Sequence, residues 1–298
     1  MLTFVIGTGR CGSSLVHELL ARHPDVGFLS NLDDRIPGLP SWARRSGNVL
    51  HRRLPPSLTR KGRLRYGPSE GYRALAREVS PMVTQSSRDL LAGDAEPWVA
   101  ERFSAFFTRR SRTQGRPVLV HKYTGWPRSG FIREVFPDAR FIHVVRDGRA
   151  FAASALRTPW WLGYMGPEAW QWGPLPAGYA SEWEDAGRSF PVLAAISWKL
   201  LLDAFAEARA LVPGEQWLDL RFEDLLADPR HHIKEMLAFI GLDEHPALDR
   251  ALSRTVLEPE RQQAYRRQLD PGSLALIERS LAKHLPAWGY ETEAAENS

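Results

Sequence analysis

The sequence predicts an α/β fold, a three-layer sandwich with a central parallel sheet, on three observations. Short apolar runs alternate with longer amphipathic segments along the chain. The clearest runs lack apolar–polar alternation, as strands buried on both faces of a parallel sheet do. The first run also passes through a glycine-rich turn straight into a helical segment.

The elements follow in order. Thr3–Gly7 reads as the first strand and Ser13–Arg22 as the first helix. Residues 31–68 are rich in Arg, Pro and Gly without a clear period, and read as a loop insertion. A helix over Trp98–Arg110 precedes strands at Pro117–Lys122 and Arg140–Val145, then a helix at Arg149–Arg157. Residues 158–190 form a second insertion, rich in Trp, Gly and Pro, with five of the eleven tryptophans. Loops of that length in compact domains serve as lids or binding loops. Pro191–Ala210 carries an apolar stripe at Val192, Ala195, Ile196, Leu200 and Phe205. A strand at Gln216–Arg221 and helices at Ile233–Gly241 and Ser273–His284 complete the pattern. The acidic, small-residue tail 291–298 reads as disordered.

The 298 residues, 43% hydrophobic and 25% charged, are ordinary globular composition, which argues against a disordered, collagen-like or repeat protein. A net charge of +4 suits an anionic ligand but is too small to imply nucleic acid. The single cysteine, Cys11, excludes an intramolecular disulfide and a cysteine-based metal site. His231-His232 has no further ligand at metal spacing in sequence, so no metal is expected. The start lacks the basic residues and length of a secretory signal. No run approaches the roughly 18 apolar residues of a membrane span, so the expected compartment is the cytoplasm, without stable membrane insertion.

The strongest local motif is Gly7-Thr8-Gly9-Arg10-Cys11-Gly12-Ser13-Ser14-Leu15, between a strand and a helix. In that context backbone N–H groups and the helix N-terminus hold a phosphate. Glycines allow the tight turn, and Ser13 and Ser14 are expected to cap the helix and offer hydroxyls. The fold is thereby P-loop-containing and nucleotide-binding-like. Gly7 and Gly12 have Walker A spacing, but Ser13 stands in the lysine's place and Arg10 supplies the cation. No strand ends in an aspartate placed like a Walker B ligand. Both departures argue against the alternative of a magnesium-dependent P-loop kinase or nucleotide hydrolase.

Arg10-Cys11-Gly12-Ser13-Ser14 resembles the 5′-phosphosulfate loop of sulfotransferases that use PAPS (3′-phosphoadenosine 5′-phosphosulfate). A second segment, Arg140–Arg149 with Ser154 beyond it, resembles that family's 3′-phosphate element. The resemblance implies one sulfotransferase domain over 1–290 that moves a sulfuryl group from PAPS to a hydroxyl or amine, releasing PAP. It implies donor binding by Gly9, Arg10, Cys11, Gly12, Ser13, Ser14, Arg146 and Ser154. Arg146 is suited to the task because a guanidinium matches phosphate oxygens bidentately. Leu220–Leu225 also resembles a family segment, with Phe222 in place of tyrosine near the adenine.

Catalysis then falls to Arg10, as a permanent cation at the transferring group, and to Lys122, which resembles the family's strand-end lysine. A hydroxyl acceptor also needs a base. Asn31 and Thr124 stand where two branches of the family carry glutamate and histidine. Asp33, followed by Asp34, is the remaining candidate, while strand alternation points His121 away from Lys122. A catalytically inactive nucleotide-binding protein is the alternative that the missing base leaves open. The aromatics Trp160, Trp161, Tyr164, Trp170, Trp172, Tyr179 and Trp183 suit a small-molecule, glycan or lipid acceptor.

Overall fold

Five parallel strands form one sheet in the order β2-β3-β1-β4-β5, with the chain starting at its centre. The structure is a computed structural model that describes residues 1–54, 66–255, 257 and 262–291. The strands are β1 (Leu2–Ile6), β2 (Val26–Phe28), β3 (Val118–Lys122), β4 (Arg140–Val145) and β5 (Trp217–Arg221). Val5 of β1 faces Lys122 on one side and Ile142 on the other, and Val145 faces Arg221. The strand C-termini therefore line one edge, where such sheets bind ligands.

Helices cover both faces. Phe4, Leu119, Phe141 and Val145 point into one core, against Phe103, Phe107 and Trp198. Val5, Val120, Ile142, Val144 and Leu220 point into the other, against Val16, Leu19 and Met236. Alternate side chains of one strand enter different cores, so both faces are covered and no apolar–polar alternation shows in sequence. The long helix Phe190–Leu211 buries all five residues of its predicted stripe.

Several elements differ from expectation. Residues 31–68 are not simply loop: helices run over Asn31–Arg35 and Ser41–Arg53, while 55–65 lie outside the described residues. Ser30 caps the first, accepting from the Asp33 N–H at 3.2 Å. The second buries Arg44, Gly47, Asn48 and His51, at helical spacing but mostly polar, so hydrophobic periodicity could not reveal it. A helix over Ala177–Asp185, with no fully buried residue, interrupts the Trp-rich segment. Residues 292–298 of the predicted tail lie outside the described residues. Among the described residues no helix is long and apolar enough to cross a membrane.

Candidate functional site

The site stands on the strand C-termini. After β1 the chain turns at Gly7, where a Cβ would lie 2.5 Å from the Val144 carbonyl oxygen and 2.6 Å from Cys11 Sγ. Gly9 and Gly12 have φ of 83° and 92°, and Arg10, not a glycine, has φ of 53°. A left-handed arginine costs energy that glycine would not. Here the turn delivers its exposed guanidinium to the neighbouring strand's helix, where Nε donates to Ser154 Oγ at 2.6 Å. The helix Ser13–Leu20 starts at Gly12 without a side-chain cap. Ser13 and Ser14 therefore lie in its first turn, not at the expected capping position.

Arg146 follows β4, one strand over. Its Nη1 donates to the Arg10 carbonyl at 3.2 Å, and its guanidinium lies 5.2 Å from the Phe222 ring centroid. Burial pulls its pKa down, opposed mainly by Glu223. The Arg146 backbone is fixed in turn, since Trp198 Nε1 donates to its carbonyl at 3.1 Å. Asp147 caps the helix Gly148–Ala155, accepting from the Arg149 N–H at 2.8 Å, and this helix carries Ser154. The loop after β1 and the element after β4, 136 residues apart in sequence, are thus one cluster.

Lys122, at the end of β3, donates from Nζ to Ser14 Oγ at 2.6 Å and pairs with Glu70 Oε1 at 2.9 Å. His121 lies on the opposite face, edge-on to Phe4, Phe107 and Tyr123. Glu70 escaped sequence analysis. It reaches Lys122 because the chain returns to the sheet edge: Asn31 N–H donates to the Gly67 carbonyl at 2.9 Å, and Ser69 N–H to the Leu29 carbonyl at 2.8 Å. The same Glu70 Oε1 accepts from Thr124 Oγ1 at 3.1 Å, and the Tyr72 hydroxyl lies 3.0 Å from Thr124 Oγ1. Burial, then the nearby Glu70 charge, raise the Tyr72 pKa to about 12, so Tyr72 stays a neutral phenol. Trp160, 47% exposed, reaches over the loop to 3.9 Å from where a Gly9 Cβ would lie.

Other residues singled out in the sequence are placed away from the cluster or beneath it. Asp33 is 2% exposed and bound on both oxygens, by Arg44 Nε at 2.9 Å and Arg110 Nε at 3.1 Å. A carboxylate so buried and held by two arginines fits a structural anchor better than a base that must meet an acceptor. Asp34 is likewise occupied, accepting from the Ala74 N–H at 2.9 Å. The Cys11 side chain is fully buried in the core beneath the loop. Phe222 packs on Gly12 and Arg146, beneath the loop. Finally, the helix Pro229–Phe239 brings Glu235 beside His231 and His232, and their three ligand atoms lie within 4.8 Å of one another.

Comparison with known proteins fits this arrangement. Residues 3–246 match the sulfotransferase family. Two curated relatives, from Mycobacterium bovis and Mycobacterium tuberculosis, are both named omega-hydroxy-beta-dihydromenaquinone-9 sulfotransferase Stf3. Each is 24% identical over 192 residues, 64% of this chain and 44% of the relative. The chain thus spans about half the length of the curated relatives it matches. Among solved structures, sulfotransferase STF9 from Mycobacterium avium superposes with a TM-score of 0.59 at 15% identity, covering 98% of this chain and 77% of that one. The sulfotransferase domain from the curacin biosynthetic pathway gives 0.54 at 14% identity, covering 97% and 98%. At such identities the superpositions speak for the fold alone, but the family match runs from β1 past β5: this chain belongs to the sulfotransferase family.

Proposed function

We propose that this chain transfers a sulfuryl group from PAPS to a hydroxyl on an apolar skeleton, releasing PAP. The observation that supports this most is the joining of Arg10 to Ser154 and of Arg146 to the Arg10 carbonyl. That cluster offers two guanidinium groups and the hydroxyls of Ser14 and Ser154 beside a left-handed turn, a donor set suited to a ligand bearing two separate anionic groups. The room at Gly9, whose missing Cβ would have no neighbour closer than 3.9 Å, suits close approach of a phosphate to the backbone. Bound PAPS would supply an activated sulfuryl group with the 5′-phosphate of PAP as leaving group.

The chain's own groups divide the work. Loop N–H groups and Arg10 hold the anionic end and offset charge that develops as the sulfur–oxygen bond breaks. Arg146 and Ser154 hold the 3′-phosphate. Lys122 Nζ, fixed by Ser14, neutralises the leaving oxygen. Glu70 takes the acceptor's proton as its oxygen bonds to sulfur, and Thr124 orients the Glu70 carboxylate through their hydrogen bond. Trp160, with the exposed Tyr164 and Met165 after it, gives the acceptor an apolar wall. The name of the mycobacterial relatives, with its hydroxylated menaquinone, supports a hydroxyl on such a skeleton. We read residues 1–290 as one sulfotransferase domain, and the lone buried Cys11 suits the reducing cytoplasm.

Calorimetric titration with PAP, against ATP plus Mg²⁺, tests the reading. Tight PAP binding and weak ATP binding are expected, and the reverse order would overturn it. Arg146→Ala should weaken PAP binding about 10- to 100-fold, the cost of one charge-assisted hydrogen-bonding group. An unchanged affinity would remove Arg146 from the site.

A further inference from the structure

The helix Ser41–Arg53 is built inside out. The face it turns to the protein holds Arg44, paired with Asp33, and Asn48, which donates to the Phe28 carbonyl at 3.2 Å. The opposite face holds Trp42, 73% exposed, with Leu50, Arg45 and Arg53. Ordinary surface helices do the reverse, burying tryptophan and leucine and exposing arginine and asparagine. Arg45 Nε donates to the Thr113 carbonyl at 3.3 Å, which ties this face to the end of the helix Pro97–Gln114. Arg109 and Arg112 are exposed on that helix.

The described residues of the two helices expose Arg45, Arg53, Arg109 and Arg112. In sequence, residues 41–68 carry seven arginines, one lysine and no acidic residue. That stretch contributes +8 to a chain whose net charge is +4, leaving the remainder at −4. An anionic partner would balance the exposed arginines of this region.

We infer that this face, formed by Trp42, Arg45, Leu50, Arg53, Arg109 and Arg112, docks on an anionic lipid bilayer. Tryptophan and arginine are the side chains that settle at the headgroup boundary, and an exposed Trp–Leu pair set among cations matches a surface with apolar depth beneath negative charge. A polynucleotide would satisfy the arginines but offers the leucine no apolar counterpart. At 13 residues the helix is about 20 Å long, enough to lie in the interface but not to cross it. The inference is independent of the donor and of the acceptor proposed above.

Co-sedimentation of the full chain with vesicles tests it, using phosphatidylcholine alone and phosphatidylcholine with phosphatidylglycerol. Binding should require phosphatidylglycerol and weaken with salt. Trp42→Ala with Leu50→Ala, and separately Arg53→Glu with Arg112→Glu, should each reduce partitioning at least about tenfold. PAP titration and thermal unfolding of the same variants show that the site and fold persist. Arg250→Glu with Arg254→Glu, the same charge change on another helix, should leave partitioning within about twofold of wild type. Four results would each overturn the inference: no vesicle binding by wild type, equal binding to both vesicles, equal loss in the control, or binding to a polynucleotide without binding to vesicles.

Discussion

Replacing Gly12 by alanine probes the geometry on which the loop depends. Two costs add. An L side chain at φ of 92° meets the left-handed penalty, about 1–2 kcal/mol. The new Cβ would also stand 2.1 Å from Phe222 Cδ2 and 2.3 Å from Cε2. Carbon atoms rest at about 3.5–4.0 Å, so the ring or the loop must move by about 1 Å or more. Forced repacking of this kind costs about 1–3 kcal/mol. Gly12→Ala should therefore destabilise by about 2–5 kcal/mol in wild type, but only by the backbone part, about 1–2 kcal/mol, in a Phe222→Ala background. Urea unfolding of the four proteins closes a double-mutant cycle, with an expected coupling of about 1–3 kcal/mol and Gly12→Ala milder where Phe222 is absent. PAP titration of the same four shows whether the displaced ring also disturbs Arg146, which it underlies. Equal costs in both backgrounds, within about 0.5 kcal/mol, would refute the steric reasoning.

Three further outcomes follow from the same geometry. Glu70→Gln should lower turnover by about 10²- to 10⁴-fold while PAP affinity stays within about threefold; undiminished turnover would move the base elsewhere. Asp33→Asn should cost about 3–5 kcal/mol, because Arg44 and Arg110 lose a buried counter-charge, yet transfer per folded molecule should survive. Stable protein with abolished transfer would return Asp33 to the chemistry. Stability should also fall in acid. Burial, aided by Lys122, holds His17 down to about 3, and burial, aided by Arg22, holds His51 down to about 2. Both fold as neutral rings, so their contribution is complete above the unfolded value of about 6.5 and is lost as pH falls below it, by up to about 1.4 kcal/mol per pH unit for each group. Buried His121 and His143 are shifted in the same direction. Asp89, lifted to about 6 by burial, and Glu223, raised mainly by burial, have the opposite sign, but they stand against these four histidines and His23, which burial also lowers. Urea unfolding from pH 8 downward checks the slope, and constant stability from about pH 7 to pH 4.5 would contradict it.

Which parts of the molecule could be read from sequence depended on whether a side chain's partner was local. Strands β1, β3, β4 and β5 showed as mainly apolar runs without regular alternation, because helices cover both faces of the sheet. Strand β2, three residues with Gly27 at its middle, was too short to rise above the loop around it. The helix Ser41–Arg53 stayed hidden because its buried stripe is Arg44, Gly47, Asn48 and His51, whose fitness for burial depends on Asp33 and on carbonyls far along the chain. The burial of Asp33 was hidden for the same reason, since its partners lie 11 and 77 residues away. Glu70 lacks any motif of its own. The bridge between Ser30 and Pro68 at the sheet edge, far from any local signal, brings it within reach of Lys122. The loop after β1 was legible because glycine spacing is itself the geometry: a tight turn needs those residues whatever surrounds it.

Arg10 and Arg146 follow β1 and β4, which are hydrogen-bonded neighbours. The points where the two segments leave the sheet are therefore set side by side by the backbone, at the strand spacing of about 4.8 Å, and the turn from Gly7 to Arg10 adds the rest of the span. Peptide groups are the same in every sequence, so this ruler keeps its length while almost every other residue drifts. The opposite wall has no such gauge. Glu70, Trp160 and their neighbours hang from connecting segments whose course depends on particular local contacts. Mutation can thus reshape what is admitted on one side without recalibrating what is gripped on the other, and the two halves of the cleft can evolve at different speeds.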